Sequence, residues 1–378
     1  MKESAIAKDF VDKKTVNHIH EQSPLLKSQP PGQGSLLLTT PPERIAVFRA
    51  LNGLGDILCT VPAFRSLRVA FPQAEIVLVG LASIKPLIKR FNRYIDRLIE
   101  FPGYPGLPEQ PIQLSQIPAF IQHAHNEQFD LAIQMHGNGV ITNPLTIMLG
   151  ARCNAGFFLP EQYCPDENGF LPYISDESEV LRYLRLLEFL GVPSQGTELE
   201  FPIYEEDLQA LREIDAIEEL SGQKYVCIHP GASTLSRCWQ PEKFAAVADA
   251  ITSLSSANAS LGLRIVLTGS ASEVALTQTV ASLMKASSLN LAGRTSLGAL
   301  AALLQQANLL ICNDTGVSHL AAALQLKSVA IFTNSDPLRW APLNRDRHRV
   351  VCSATGVSIE TVIAQAKDLL LKENVCGV

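Results

Sequence analysis

Arg44-Ile45-Ala46-Val47-Phe48-Arg49-Ala50 runs directly into Leu51-Asn52-Gly53-Leu54-Gly55-Asp56-Ile57-Leu58. The first seven residues form the mostly apolar run a buried strand uses, and Asn52–Asp56, with its two glycines, is a turn. Leu54, Ile57, Leu58, Val61, Phe64, Leu67 and Phe71 then recur at three- and four-residue intervals, which is one face of an amphipathic helix. A strand that passes through a glycine turn into a helix is the unit of a doubly wound α/β sheet. Such sheets collect ligands beyond the carboxyl ends of their strands.

The same alternation continues outward from this unit. Ala74–Gly80 and Asp130–Gly137 read as strands, and Ser178–Leu190 as a helix with Leu181, Leu184, Leu187 and Leu190 on one stripe. The Pro-rich stretch Phe101–Pro118 reads as an irregular surface loop. A second series follows the acidic, Gly-broken segment Glu198–Gly222. Its strands are Tyr225–His229, Arg264–Gly269, Leu309–Asn313 and Ser328–Thr333, and its helices are Glu242–Leu254, Glu273–Met284, Leu297–Ala307 and Val317–Leu324. Strands this apolar suit a parallel sheet covered on both faces. The sequence thus predicts two consecutive Rossmann-like units, residues 44–205 and 222–350. A closing helix at Ile359–Lys372, within residues 355–372, belongs to either unit, and packing back on the first is the expectation. Residues 1–43 are polar and Ser/Pro/Gln-rich, without sustained period, and read as a flexible leader.

A length of 378 residues agrees with two domains at roughly 100 to 200 residues each. With 47% hydrophobic and 18% charged residues the composition is that of a globular chain. A net charge of -6 argues against non-specific binding of phosphate backbones, so no nucleic-acid partner is expected. The cysteines, at 59, 153, 164, 227, 238, 312, 352 and 376, show neither a C-x-x-C pair nor zinc spacing. Most lie in apolar runs such as Tyr225–Ile228 and read as reduced core thiols. The N-terminal residues lack a signal peptide's apolar stretch, and no run reaches the ~18 apolar residues of a membrane span. A cytoplasmic protein is expected, with at most peripheral contact at the inner face of the plasma membrane.

The polar clusters fall where ligands would collect. Asn52-Gly53-Leu54-Gly55-Asp56 is not a dinucleotide fingerprint, because Leu58 stands where G-x-G-x-x-G needs its third glycine, and a nicotinamide oxidoreductase is demoted. It leaves a backbone open to close approach and a carboxylate, Asp56, for which a plain helix cap is the structural alternative. His229-Pro230-Gly231-Ala232-Ser233-Thr234, followed by Arg237-Cys238-Trp239, combines turn amides, hydroxyls and a cation and resembles an anion site. The same residues also read as a turn, a cap and a core tryptophan. Asn313-Asp314-Thr315-Gly316-Val317-Ser318-His319 is the most informative cluster. Asp314 is the expected N-cap, the Thr315 and Gly316 amides are then free for an anion, and His319 shares a helix face with Thr315. Asp314 as a structural cap and His319 as an interior histidine are the alternatives. Smaller signals come from Thr268-Gly269-Ser270-Ala271-Ser272-Glu273, where Glu273 suits ribose hydroxyls or the helix dipole, and from Arg294-Thr295-Ser296, an adenine border or a plain cap. His136-Gly137-Asn138-Gly139 ends a first-half strand and suits an acceptor sugar or an ordinary loop.

Together these motifs make the chain resemble the family 9 glycosyltransferases, the ADP-heptose:lipopolysaccharide heptosyltransferase family, over about residues 44–372. The matching features are Gly55-Asp56 with Thr60-Val61-Pro62-Ala63, His229-Pro230-Gly231-Ala232 with Arg237 and Trp239, Thr268-Gly269-Ser270, and Asn313–Gly316 with Ser318-His319. The resemblance implies a GT-B fold of two facing Rossmann-like domains, the acceptor mainly on the first and the nucleotide sugar on the second. It further implies inverting transfer without a metal or cofactor, from a donor such as ADP-heptose to a glycan or lipid-linked saccharide acceptor. Asp56 matches the family's catalytic base, and Asp314, Thr315, Gly316 and His319 match its diphosphate-sugar loop. Ser233, Thr234, Arg237, Thr268, Gly269, Glu273 and Thr295 fall on the donor side, and Asn52, Gly53, Gly55, His136 and Asn138 on the acceptor side. Arg237 stands where the family usually has lysine, and Leu51-Asn52-Gly53 replaces its small hydroxyl residues, so the resemblance does not fix the acceptor. A catalytically silent sugar-nucleotide or glycan binding protein and a GT-B sugar-nucleotide epimerase are the alternatives on the same fold. For leaving-group stabilisation the cationic candidates are Arg237 and His319, together with the helix amides.

Overall fold

The structure is a computed structural model that describes residues 40–257 and 262–371. The expected leader lies, but for residues 40–43, outside them. Two six-stranded, wholly parallel sheets carry the fold. β1 (Arg44–Phe48), β2 (Glu75–Gly80), β3 (Arg97–Glu100), β4 (Leu131–Gln134), β5 (Cys153–Phe158) and β6 (Phe170–Pro172) are ordered 3-2-1-4-5-6 in space. β7 (Lys224–His229), β8 (Leu263–Leu267), β9 (Ser288–Asn290), β10 (Leu309–Asn313), β11 (Ser328–Phe332) and β12 (His348–Cys352) repeat that order as β9-β8-β7-β10-β11-β12. This is the Rossmann arrangement twice over, and in each half the order reverses beside the first strand, β1 or β7. Central registers such as Ile45 opposite Ile76 and Ile311 opposite Ile228 bring buried aliphatic residues side by side.

The strands and helices expected in the second half appear within a few residues of their predicted bounds. In the first half three short strands, β3, β5 and β6, escaped the sequence reading. β3 carries Arg97 and Glu100, β5 holds Asn154 and Gly156, and β6 ends on Pro172, so none offers an apolar run. The predicted loop 101–118 gives way at its end to a helix, Ile117–Asn126. The acidic segment 198–222 contains the helix Glu205–Arg212, capped at Tyr204, whose amide donates back to the Asp207 carboxylate.

Two expectations are corrected. The helix after β1 is two helices, Leu54–Leu58 and Val61–Ala70, because Pro62 has no N–H to donate to Leu58 and the chain breaks at Cys59–Thr60. The closing helix, Ile359–Leu371, does not return to the first domain. Val362, Ala366 and Leu369 enter the apolar cluster of the second sheet with Val226, Phe244 and Ile331, and Lys327 Nζ donates to the Leu369 carbonyl at 2.9 Å.

One apolar cluster runs through both halves, joining Ile45, Val47 and Phe64 to Leu310, Leu320 and Ala301. At its edge the helix Leu54–Leu58 of the first domain lies against the helix Gly316–Ala323 of the second. A β-carbon at Gly316 would stand 2.8 Å from Leu54 Cβ and 3.2 Å from the Gly55 nitrogen, and one at Gly55 would stand 2.6 Å from the His319 ring. Glycine on both sides lets the two backbones approach this closely. Gly316→Ala is therefore expected to force the domains apart at this seam, costing about 1 to 3 kcal/mol. Thermal unfolding and small-angle scattering should report a lower Tm and a larger radius of gyration; a variant matching the parent in both would show that the seam can yield freely.

Candidate functional site

The turns that leave β1, β7, β8 and β10 at their carboxyl ends converge on a cavity of about 690 Å³ between the domains. The first domain lines it with Asn52, Gly53, Gly55 and Asp56. The second lines it with Ser233 and Arg237 after β7, Gly269 and Glu273 after β8, Thr295 before the helix Leu297–Gln306, and Asp314, Thr315, Gly316 and His319 after β10. Four predicted residues stand elsewhere. Thr268 is fully buried with its hydroxyl 3.1 Å from His229 Nδ1, and Thr234 is exposed beside Ser236. His136 is buried, its Nδ1 accepting from the Ala50 amide and its Nε2 3.1 Å from Glu109, so it braces the turn that carries Asp56. Asn138 folds onto the Val140 amide in its own loop.

Asp56 is not a helix cap. The N-cap position belongs to Gly53, and the Asp56 carboxylate folds back against that glycine where any side chain would collide with it. The helix break at Thr60 sends the Thr60 amide to the Ile57 carbonyl and leaves the Asp56 carbonyl to other donors. It receives Arg49 Nε at 3.0 Å, Arg49 Nη2 at 2.7 Å and the Thr60 hydroxyl at 2.8 Å. The same guanidinium lies 3.6 Å from the Asp56 carboxylate. Burial pushes the Asp56 carboxyl above the ordinary aspartate range, Arg49 opposing and Glu179 adding to the rise. A proton acceptor profits from that direction.

Opposite Asp56 the second domain presents the helix Gly316–Ala323. Its N-cap is Thr315, with Asp314 one residue outside, which corrects the expected assignment. First-turn amides of a helix have no intrahelical acceptor, so this end faces the cavity as a set of donors. The Asp314 carboxyl is raised by burial, against the pull of Ser335 and of Arg237, whose Nη1 is 3.9 Å away. Glu273 is partly engaged already, its carboxylate accepting from the Ser270 amide at 2.6 Å. Ser296 caps its helix through Ala299 N at 3.1 Å and leaves Thr295 to border the cavity. His319, between the domains, has Nδ1 3.5 Å from Cys59 Sγ and its ring edge-on to Trp340. Burial pushes its pKa down to about 4 despite Glu179, so it is neutral at pH 7 and can offer one N–H but no charge. That corrects its assignment as a cation and leaves Arg237 and the helix amides.

Sequence reasoning missed the charged layer beneath Asp56. Arg49 is fully buried, Glu179 nearly so, and Tyr183 and Arg339 complete the group. A signal existed for Arg49, a lone charge at the end of an apolar strand, since buried charges require partners. Glu179 looked like any acidic residue in a first helical turn, and Trp340 and Arg339 lie on a four-residue helix, Pro337–Trp340, too short to show a pattern.

Two facing Rossmann domains, with a carboxylate on one wall of their cleft and a helix N-terminus and an arginine on the other, make a GT-B fold. The family model for glycosyltransferase family 9 (heptosyltransferase) matches residues 117–369, and the chain belongs to that family. It is 27% identical over 306 residues to lipopolysaccharide heptosyltransferase 3 of Escherichia coli, covering 76% of this chain and 82% of that one. A family 9 glycosyl transferase from Veillonella parvula shares its fold with a TM-score of 0.70 at 24% identity, over 88% of this chain and 98% of the other. The ADP-heptose lipopolysaccharide heptosyltransferase II of E. coli does so at 0.65 and 19%, over 87% and 98%. The protein is an enzyme that transfers glycosyl groups.

His348, behind the His319 wall, is likewise buried and pushed down to about 4, with Arg347, His319 and Arg345 adding to the effect. Because each histidine's folded value lies below its ordinary 6.5, the unfolded chain binds protons first. Their stabilisation is thus intact above about pH 6.5 and is lost as pH falls toward 4, whereas the raised Asp56 and Asp314 act in the opposite sense. His348→Gln should flatten the fall in stability across that interval by on the order of 2 kcal/mol. Melting curves recorded across it would show a slope as steep as the parent's if the ring were not buried neutral.

Proposed function

We propose that the enzyme is an inverting, metal-independent transferase that moves a heptose from ADP-heptose to a hydroxyl of a lipopolysaccharide-type saccharide. The observation that carries this reading is Asp56, a carboxylate of raised basicity on one wall of the cleft, facing the helix end at Asp314–Gly316 across the cavity. Inversion needs a base, an anomeric carbon and a leaving group in line, the geometry of inverting glycosidases with a sugar hydroxyl in place of water. The acceptor oxygen forms its bond to the anomeric carbon as its proton passes to Asp56. The bond from that carbon to the β-phosphate oxygen breaks, and ADP departs with the electron pair. Arg237 and the Thr315–Val317 amides receive the negative charge that develops there, and the His319 N–H adds a neutral donor. Thr295 and Glu273 border the nucleoside end, and Asn52 and Gly53 the acceptor end. The names of the relatives, a lipopolysaccharide heptosyltransferase and an ADP-heptose transferase, support the donor and acceptor classes.

Asp56→Asn keeps the shape but cannot take a proton. Turnover from ADP-heptose to a truncated lipopolysaccharide acceptor should fall roughly 10² to 10⁴-fold while ADP affinity and Tm hold. Near-parent turnover by the folded variant would remove Asp56 as the base, and transfer abolished by a chelator and restored by magnesium would remove metal independence.

Arg237→Ala deletes the planar cation on the leaving-group side. Calorimetry should show ADP binding weakened roughly 10- to 100-fold, the range of a charge-assisted hydrogen bond, with adenosine binding little changed. Equal losses for both ligands would place Arg237 away from the phosphates.

A further inference from the structure

We infer that Arg49 is a positioning residue for Asp56, and that Arg339, contributed by the second domain, acts on Asp56 through Glu179, so that both domains set the basicity of the base. This rests on the reading of Asp56 as the base and goes beyond it.

The argument begins with the donors of Arg49. Nε and Nη2 hold the Asp56 carbonyl, while Nη1 donates to the Met135 carbonyl at 2.7 Å and to the Tyr183 hydroxyl. The main chain of Asp56 is thereby tied to the end of β4 and to the helix Glu179–Phe189. A lysine keeps the charge but cannot span these acceptors.

Glu179 is the hinge of the charge arrangement. Its carboxylate is 1% exposed, lies 3.8 Å from Arg49, and binds Arg182 and the Tyr183 hydroxyl. Arg339 Nε reaches it at 2.7 Å from the second domain, with a third of its own side chain exposed. Of the charges that act on Asp56, namely Arg49, Glu179 and Arg339, Arg339 is the one from across the cleft, while His136 uses its Nδ1 to accept from the Ala50 amide. Nearby, His319 is neutral, and burial holds the Cys59 thiol well above its ordinary value. Arg339 offsets Glu179, and Glu179 otherwise favours protonation of Asp56.

The test is a carbon-13 NMR titration of the intact chain labelled at its aspartate carboxyls, the Asp56 signal being assigned by its loss in Asp56→Asn. Arg339→Gln should raise the Asp56 midpoint by about half a unit, Arg339→Lys should restore it, and Glu179→Gln should lower it. Midpoints within error of the parent in both Arg339→Gln and Glu179→Gln would overturn the inference, and if Glu179→Gln does not fold, Arg339→Gln decides alone. Arg49→Lys should keep the midpoint and ADP affinity yet lose about tenfold or more in turnover; parent turnover would overturn the positioning role. The two readings fail separately. An active Asp56→Asn defeats the base, whereas an inactive one with unmoved midpoints defeats only the link through Glu179.

Discussion

A guanidinium with no exposed surface sits just past the end of β1, beneath the cleft, and much of the site follows from the need to satisfy it. Moving such an ion out of water costs several kcal/mol unless hydrogen bonds and opposite charges surround it. Arg49 finds two backbone carbonyls, a phenol hydroxyl and two carboxylates. To supply one of those carbonyls the helix after β1 stops a turn early, and to supply the phenol and the second carboxylate the helix Glu179–Phe189 crosses beneath it. The aspartate in the cleft is held by the same contacts.

The second constraint is the depth at which the two domains meet. Gly55 and Gly316 let helix press on helix without intervening side chains, and an apolar cluster continues through the seam. What remains between the domains is a polar cavity with an acid on one wall and amide donors on the other. Burial shapes both. It raises Asp56 and Asp314 and removes the charge from His319, so the wall opposite Asp56 owes its positive character to Arg237 and to backbone N–H groups.

The repeated strand order explains why so much of the site could be read without coordinates. Each conspicuous polar cluster followed an apolar strand, and in a doubly wound sheet that position faces the crevice. Asp56, Arg237, Glu273 and Asp314–His319 were found this way. The same rule misplaced Thr268 and His136, which follow β8 and β4 but turn inward to brace His229 and Ala50. Residues at a strand end alternate between cavity and interior, and spacing does not say which way a side chain turns.

The sequence by itself determined the two α/β units, most strand positions in the second, and the family, because apolar runs, glycine turns and ordered motifs are local features. Tertiary structure alone decided what those residues face. The break at Thr60, the seat of the closing helix on the second sheet and the charged layer of Arg49, Glu179, Tyr183 and Arg339 depend on residues up to 160 positions apart (Glu179 and Arg339) meeting in space. Desolvation and the Coulomb interaction depend on distance in space, and a linear pattern holds no record of either.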